Sequence, residues 1–429
     1  MSVLAQGRFK AVSKNGLLGP AAALFVSANI ANAANLFFNM VFARLMGPAA
    51  FADLTLLLTL KLGVLSFLAA LQFAFSEYTA KTGDGHAGKL QAHALSWRSL
   101  KISVPIMFIV IALANYISAS LNFSSPLALG LLALAIPFFL PMVIYRGLTQ
   151  GLMDIPKIIL SIQTEWVIRL VGSIILWQMG FGLPGIAVAV GLSIAAGFLF
   201  STDTQDAKLH QTALKSKETI DVKALSVTAL PYIILQAAQV LVLDSDILVA
   251  KITFSAETAG LVAGLLLIQR VFFFAFLSCS TILQPYIAKQ KDGAKSQKEL
   301  FTLLLIIGAI TAAALVIIVP NSGLVVKVML GREYAALSSI VWISALTGAV
   351  FIMSHLCAIY QIANGQTRAA QIVLGFGIFQ FVSLATVNHF FSGIGIHSYF
   401  SIKLAIQFMC AICLAGSVIR TSKRAALEG

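Results

Sequence analysis

The chain has 429 residues, of which 59% are hydrophobic and only 10% charged, with a formal net charge of +13. Soluble domains carry about a quarter charged residues, so this composition excludes a water-soluble fold. A basic nucleic-acid-binding face needs a soluble module, so nucleic acid is excluded as a partner and the positive charge is expected to follow membrane topology.

Apolar runs of about 20 residues, each long enough to cross a hydrocarbon core of about 30 Å as a helix, recur from end to end. The predicted class is therefore an all-α polytopic membrane protein with twelve transmembrane helices. The first run, Leu17 to Phe42, follows Arg8, Lys10 and Lys14 and contains Ala31-Asn32-Ala33, which imitates a signal-peptide cleavage site. The apolar stretch continues past that site, so it reads as an uncleaved first span. Hydropathy then predicts spans at Phe51 to Phe75, Ile102 to Leu121, Pro126 to Leu148, Pro156 to Met179 and Leu183 to Ser201. A second set follows at Leu225 to Ala250, Thr258 to Leu283, Leu300 to Pro320, Ala335 to Gln361, Ala369 to Phe391 and Gly393 to Ile419. The polar, lysine-rich segment Thr202 to Ala224 separates them, which predicts an N-terminal lobe over 1–201, a cytoplasmic linker over 202–224 and a C-terminal lobe over 225–429.

Cations crowd one set of connecting segments: Arg8 to Lys14, Lys81 to Lys101, Arg146, Lys157, Lys208 to Lys223, Lys289 to Lys298, Arg368 and Arg420 to Arg424. The opposite set holds Arg44, Lys251, Lys327 and Arg332. By the positive-inside rule this places both termini in the cytoplasm of a bacterial inner membrane.

The two halves resemble each other. A shift of 207 residues lays Ala43-Arg44-Leu45 on Ala250-Lys251-Ile252 and Ala52-Asp53-Leu54 on Ala259-Gly260-Leu261, and it puts Asn29 on Gln236, Asn32 on Gln239 and Asn39 on Asp246. Such a repeat predicts two pseudo-symmetric six-helix lobes around a central cavity. At about 100° per residue, Asn29, Asn32, Asn35 and Asn39 share an arc of roughly 120° on the first span. Gln236, Gln239 and Asp246 form the matching stripe on the seventh. These stripes either line the cavity or join neighbouring helices by hydrogen bonds.

Ionisable residues deep in apolar spans cost about 2.5 to 3.5 kcal/mol on insertion scales and are functional candidates. Lys61 in the second span and Arg270 in the eighth are expected near the midplane, reaching into the cavity from opposite lobes. Lys403 and Gln407, one turn apart, share a face of the last span. Glu165 and Arg169 have the spacing of an intrahelical pair: either a neutralised structural pair, or an ion-exchanging carboxylate whose arginine alternates with an anionic substrate. Asp244 and Asp246, expected at the outer end of the seventh span, read either as hydrated carboxylates or as ion-coupling sites, and His355 is a weaker relay candidate. Lys61, Arg169, Arg270 and Lys403 against Glu165 predict a cationic interior suited to a diphosphate or acidic sugar.

The segment Asn35-Leu36-Phe37-Phe38-Asn39-Met40-Val41-Phe42-Ala43-Arg44-Leu45-Met46-Gly47-Pro48-Ala49-Ala50-Phe51 resembles the first-helix signature of bacterial polysaccharide repeat-unit flippases. These belong to the superfamily of multidrug and toxin extrusion transporters and the lipid II flippase. Arg146-Gly147-Leu148-Thr149-Gln150-Gly151 is similar to their fourth-span ending, and Leu330-Gly331-Arg332-Glu333-Tyr334 to the turn before their tenth span. The resemblance implies a V-shaped cavity opening alternately to each side. It also implies an undecaprenyl-diphosphate-linked oligosaccharide as cargo, coupling to a proton or sodium ion, and glycan polymerase machinery as a partner. The family's charged cavity residues vary among its members and none is carried over by motif; from the interior charges and the polar stripes, substrate contacts are expected from Lys61, Arg270, Arg169, Lys403, Asn29, Asn32, Asn39, Gln236 and Gln239, and ion coupling from Glu165, Asp246 and Asp244.

A multidrug exporter of the same superfamily is the first alternative, and would want acidic and aromatic residues in its cavity. A membrane glycan polymerase or ligase is the second, and would expose a large external loop, whereas the outer loops here are short. No Gly-rich phosphate loop, metal-ligand cluster or nucleophile–base arrangement is present, so neither a cofactor nor enzymatic chemistry is expected. Cys410 and Cys413, a C-x-x-C inside an apolar span, read as packing residues.

Overall fold

A computed structural model describes residues 18–82, 85–202, 222–289, 293–390 and 395–428. Among these residues there is no strand. In lipid only a helix satisfies the backbone of a single span from within, and the apolar runs accordingly become helices.

The first element, α1 (Leu18–Thr82), has 65 residues. A straight helix of that length would run about 98 Å at 1.5 Å per residue, three times the hydrocarbon thickness. It turns back at Gly47, whose φ of 71° and ψ of 172° are non-helical and are followed by Pro48. Positive φ suits glycine, and proline removes a helical hydrogen bond. The first two predicted spans are thus the two arms of α1. The rest of the first lobe comprises α2 (Gly85–Ala112), α3 (Ala114–Ser120), α4 (Pro126–Ala133), α5 (Ile136–Gly151), α6 (Ile155–Gln178) and α7 (Gly182–Ser201). In the second lobe are α8 (Val222–Leu243), α9 (Asp246–Thr253), α10 (Ala256–Lys289), α11 (Gly293–Ile318), α12 (Ser322–Met329), a 3-10 helix (Arg332–Ser339), α13 (Val341–Ala363), α14 (Arg368–Phe390) and α15 (Ile396–Glu428).

Counting α1 twice and taking α4 with α5, which meet at a 42° bend, as one crossing, the protein is a twelve-helix membrane protein in two six-helix lobes. Side chains such as Leu305, Val316 and Ile412 stay more than 70% exposed, as expected where the solvent is hydrocarbon. The lobes meet where α1 packs on α8, α9 and α10.

The structure corrects several boundaries. The third crossing begins well before Ile102, because the polar start of α2 packs Ala92 onto Phe75, Ile144, Tyr145 and Leu148; hydropathy detects only the part that meets lipid. The tenth begins at Val341 rather than Ala335, since Arg332–Ser339 coils as a 3-10 helix that buries Tyr334 and Leu337. The seventh is broken at Asp244-Ser245, between α8 and α9, with the Ser245 hydroxyl donating to the Leu241 carbonyl at 2.5 Å; polar side chains that bond to nearby backbone compete with the helix in this way. Arg146, expected in a connecting segment, is buried in α5. Most of the predicted 202–224 linker lies outside the described residues, and α8 already starts at Val222.

The motif Arg146 to Gly151 has a packing role. A side chain at Gly147 would meet the Gln72 carbonyl at 2.7 Å, so α5 lies directly on the second arm of α1. Gly348 of α13 likewise faces the Gln269 carbonyl of α10, with no room for a Cβ. In each lobe, then, the fourth crossing touches the second through a glycine, as small residues permit in membranes. Gly348→Val should lower the yield of folded protein and its melting temperature in detergent, by the 1–3 kcal/mol or so of core overpacking; an unchanged melt would show that the two helices separate easily.

Candidate functional site

The face where the two arms of α1 join is called the far face, and the opposite face, where α1 begins and α15 ends, the near face. Three polar assemblies lie between them.

The first surrounds Glu165 of α6. Lys61 Nζ donates to Glu165 Oε1 at 2.9 Å and Arg146 Nη2 to Oε2 at 3.0 Å. Arg146 also donates to the Ser161 hydroxyl at 2.9 Å and to its carbonyl at 3.2 Å, and that hydroxyl donates to the Gly197 carbonyl at 2.6 Å. Three helices and the second arm of α1 are tied together at one carboxylate. The expected Glu165–Arg169 pair is not what forms: Glu165 is taken by residues from other helices. Arg169 instead places its guanidinium 5.6 Å from the Phe38 ring centroid on the first arm of α1, within cation–π range, and its Nε has no hydrogen-bond partner. Among the described residues Arg169 makes no ion pair with a carboxylate.

The second assembly is built around the break between α8 and α9. Arg270 Nη2 donates to Asp244 Oδ1 at 2.5 Å and reaches Thr59 of the other lobe at 3.4 Å. Lys403 bridges Asp246 and Gln269, the latter at 2.7 Å. The Tyr399 hydroxyl donates to Asp246 at 3.2 Å, Gln380 reaches Asp246 at 3.5 Å, and Gln407 donates to Gln380 at 2.5 Å. Asp244 and Asp246 are therefore buried and paired, not hydrated at a helix end, because breaking the helix turns them toward α10, α14 and α15. Lys403 and Gln407 share a face as the spacing predicts. His355 stands apart, its ring edge-on to Phe273 and Phe351 and its Nδ1 without a partner.

The third assembly seals the far face. Lys251 donates to Asp53 at 2.7 Å, joining the lobes through a pair whose side chains are 3% and 5% exposed. The Lys251 carbonyl accepts from Asn122 at 2.8 Å. Gly260 faces the Pro48 carbonyl with no room for a Cβ, and Phe51 meets Tyr334 edge-on with centroids 6.4 Å apart. Burial, and secondly the adjacent Glu333 carboxylate, push the Tyr334 hydroxyl above its ordinary range. Both outer motifs singled out in the sequence, Asn35 to Phe51 and Leu330 to Tyr334, thus build this seam.

Of the polar stripes, Asn29, Asn32 and Asn35 are half-buried and Asn39 is buried, its amide donating to the Asn35 carbonyl at 2.8 Å. Gln236 and Gln239 are half-buried, with Gln239 Oε1 unpartnered. Lys61 and Arg270, the cations expected from opposite lobes, each pair with a carboxylate of their own lobe. The roles of Arg146, Asp53 and Lys251 escaped the sequence reading. Asp53 and Lys251 are 198 residues apart, and only their places in the segments superposed by the 207-residue shift signalled them.

No protein-family model and no curated protein matches the sequence. Solved structures do match in fold. An inward-facing multidrug resistance MATE family transporter of the MOP superfamily superposes with a TM-score of 0.80 at 14% identity, covering 94% of this chain and 98% of its own. An outward-facing structure of such a transporter gives 0.65 at 16%, covering 96% and 97%. A MOP superfamily transporter from Pyrococcus furiosus, described by a binding pocket of reverse polarity that suggests a different function, gives 0.66 at 16%, covering 96% of each chain.

Proposed function

We propose that this chain is an alternating-access exporter whose cargo is an amphiphile with an anionic headgroup, of which a lipid-linked oligosaccharide diphosphate is the example its motifs resemble. The fold supports alternating access, since the likeness extends to inward- and outward-facing transporters. The observation that bears on cargo is Arg169: a half-buried guanidinium that lies in the field of Glu165 but forms no salt bridge with a carboxylate among the described residues, and is laid on Phe38 beside the asparagine stripe of α1. Around it Lys61 and Arg146 already satisfy Glu165, so the first lobe keeps surplus positive charge, while Arg270 and Lys403 of the second are matched by Asp244 and Asp246. Surplus cations in a low-dielectric interior attract an anion and repel a cationic drug. In this reading the Asp244–Asp246 network couples transport to a proton or sodium ion, both termini are cytoplasmic, and glycan polymerase machinery receives the cargo.

The second reading is multidrug export, and the solved neighbours support it better than they support a lipid-linked flippase, because multidrug resistance is what they are described by. The two readings part in one experiment. Expressed in a strain lacking its own repeat-unit flippase, the protein should restore surface glycan, and Arg169→Ala should abolish that restoration at unchanged abundance while Arg169→Lys retains part of it. If instead the protein lowers accumulation of a cationic dye and restores no glycan, it is a drug exporter and the anionic cargo is wrong.

A further inference from the structure

On the far face a cavity of about 600 Å³ opens between the lobes, lined by Ala43 and Arg44 of α1, Leu324, Lys327 and Val328 of α12, and Leu330 to Glu333. Arg44, Lys327 and Arg332 face it with Glu333 as the sole carboxylate in its wall. Among the described residues none of the three cations is ion-paired. This contrasts with the rest of the far face, where Lys251 is buried against Asp53. The wall is also amphipathic: α12 buries Val326 completely but leaves Leu324 61% and Val328 51% exposed, one turn apart and beside the cavity. An eight-residue helix between two crossings, with apolar side chains outward and a lysine in its last turn, suits the boundary where headgroups meet acyl chains. Gly331, at φ 111°, keeps a side chain out of the space next to Arg44.

We propose that this cavity binds the phosphate of an anionic phospholipid from the leaflet bordering the far face, held by Arg44, Lys327 and Arg332, with its acyl chains over Leu324 and Val328. Arg44 comes from the first lobe and Lys327 and Arg332 from the second, so the site is complete only while the seam is closed. It is separate from the assembly around Glu165 and Arg169 and does not depend on what the protein exports. A net positive wall discriminates by charge: phosphatidylcholine carries the same phosphate but no net charge, so it should bind less well than phosphatidylglycerol.

Native mass spectrometry of the full-length protein in neutral detergent, titrated with dioctanoyl phosphatidylglycerol, tests this. Saturable binding is expected, weakened about thirtyfold by Arg44→Gln with Lys327→Gln, as loss of two interfacial cations implies. Arg44→Lys with Lys327→Arg should retain binding, which separates lost charge from lost structure at these exposed positions. Leu324→Gln should weaken phosphatidylglycerol without changing the binding of glycerol phosphate. Equal affinity for phosphatidylcholine, or an undiminished affinity in the double glutamine variant, would overturn the site. Inorganic phosphate binding as tightly as the lipid would overturn the lipid assignment.

Discussion

Asp53→Ala should open the far-face seam and shift the protein toward the conformation in which that face is exposed. Removing the carboxylate leaves the Lys251 ammonium buried and unpaired, a loss of about 3 to 5 kcal/mol for such pairs. The penalty falls on the closed state alone, because opening returns Lys251 to water. The equilibrium should therefore move by about a hundredfold or more. Thr59, 3% exposed and touching Arg270 across the lobes, reports on this. In a background whose four native cysteines are alanine, a Thr59→Cys thiol should react with maleimide much faster once Asp53→Ala is added. Lys251→Ala should act in the same direction, and the exchanged pair Asp53→Lys with Lys251→Asp should slow labelling again. Gly260→Leu reaches the same end by steric means, since any side chain there strikes the Pro48 backbone. Labelling rates that ignore all of these changes would show that the seam is held elsewhere.

Glu165→Gln should be the most destabilising single change inside the first lobe. Glu165 accepts from Lys61 on the second arm of α1 and from Arg146 on α5, while its own side chain is 12% exposed. Neutralising it leaves two buried cations facing each other, so the loss should reach or exceed the 3 to 5 kcal/mol or so of a broken buried pair. A lowered melting temperature in detergent is the measurement. Lys61→Met in addition should recover part of the loss, because an apolar side chain of similar length removes one orphaned charge. If Glu165→Gln melts like the unaltered protein, the cluster is hydrated in solution and Glu165 is not a structural anchor.

Much of the architecture was legible in the sequence because lipid simplifies the code. A span must be apolar, about 20 residues long and helical, so composition alone locates it. The turn between the first two crossings is written in Gly47-Pro48, and the likeness of the halves in the 207-residue shift. Short-range candidates were also readable: Lys403 and Gln407 do share a face, because helical spacing decides that.

What the sequence could not determine is which charges meet. Glu165 and Arg169 have ideal intrahelical spacing, yet Glu165 is held by Lys61, 104 positions away, and by Arg146. The reason is physical: a buried carboxylate is stabilised by whichever donors converge on it in a dry environment, and helix packing, not spacing along one helix, decides which converge. The same holds for Asp53 with Lys251 and for Asp246 with Lys403. Helix periodicity and hydropathy determined the twelve crossings; the packing of helices within each lobe decided the partners of Glu165, Asp244 and Asp246, and the docking of one lobe on the other, through a pair 198 residues apart, joined Lys251 to Asp53 and shut the far face.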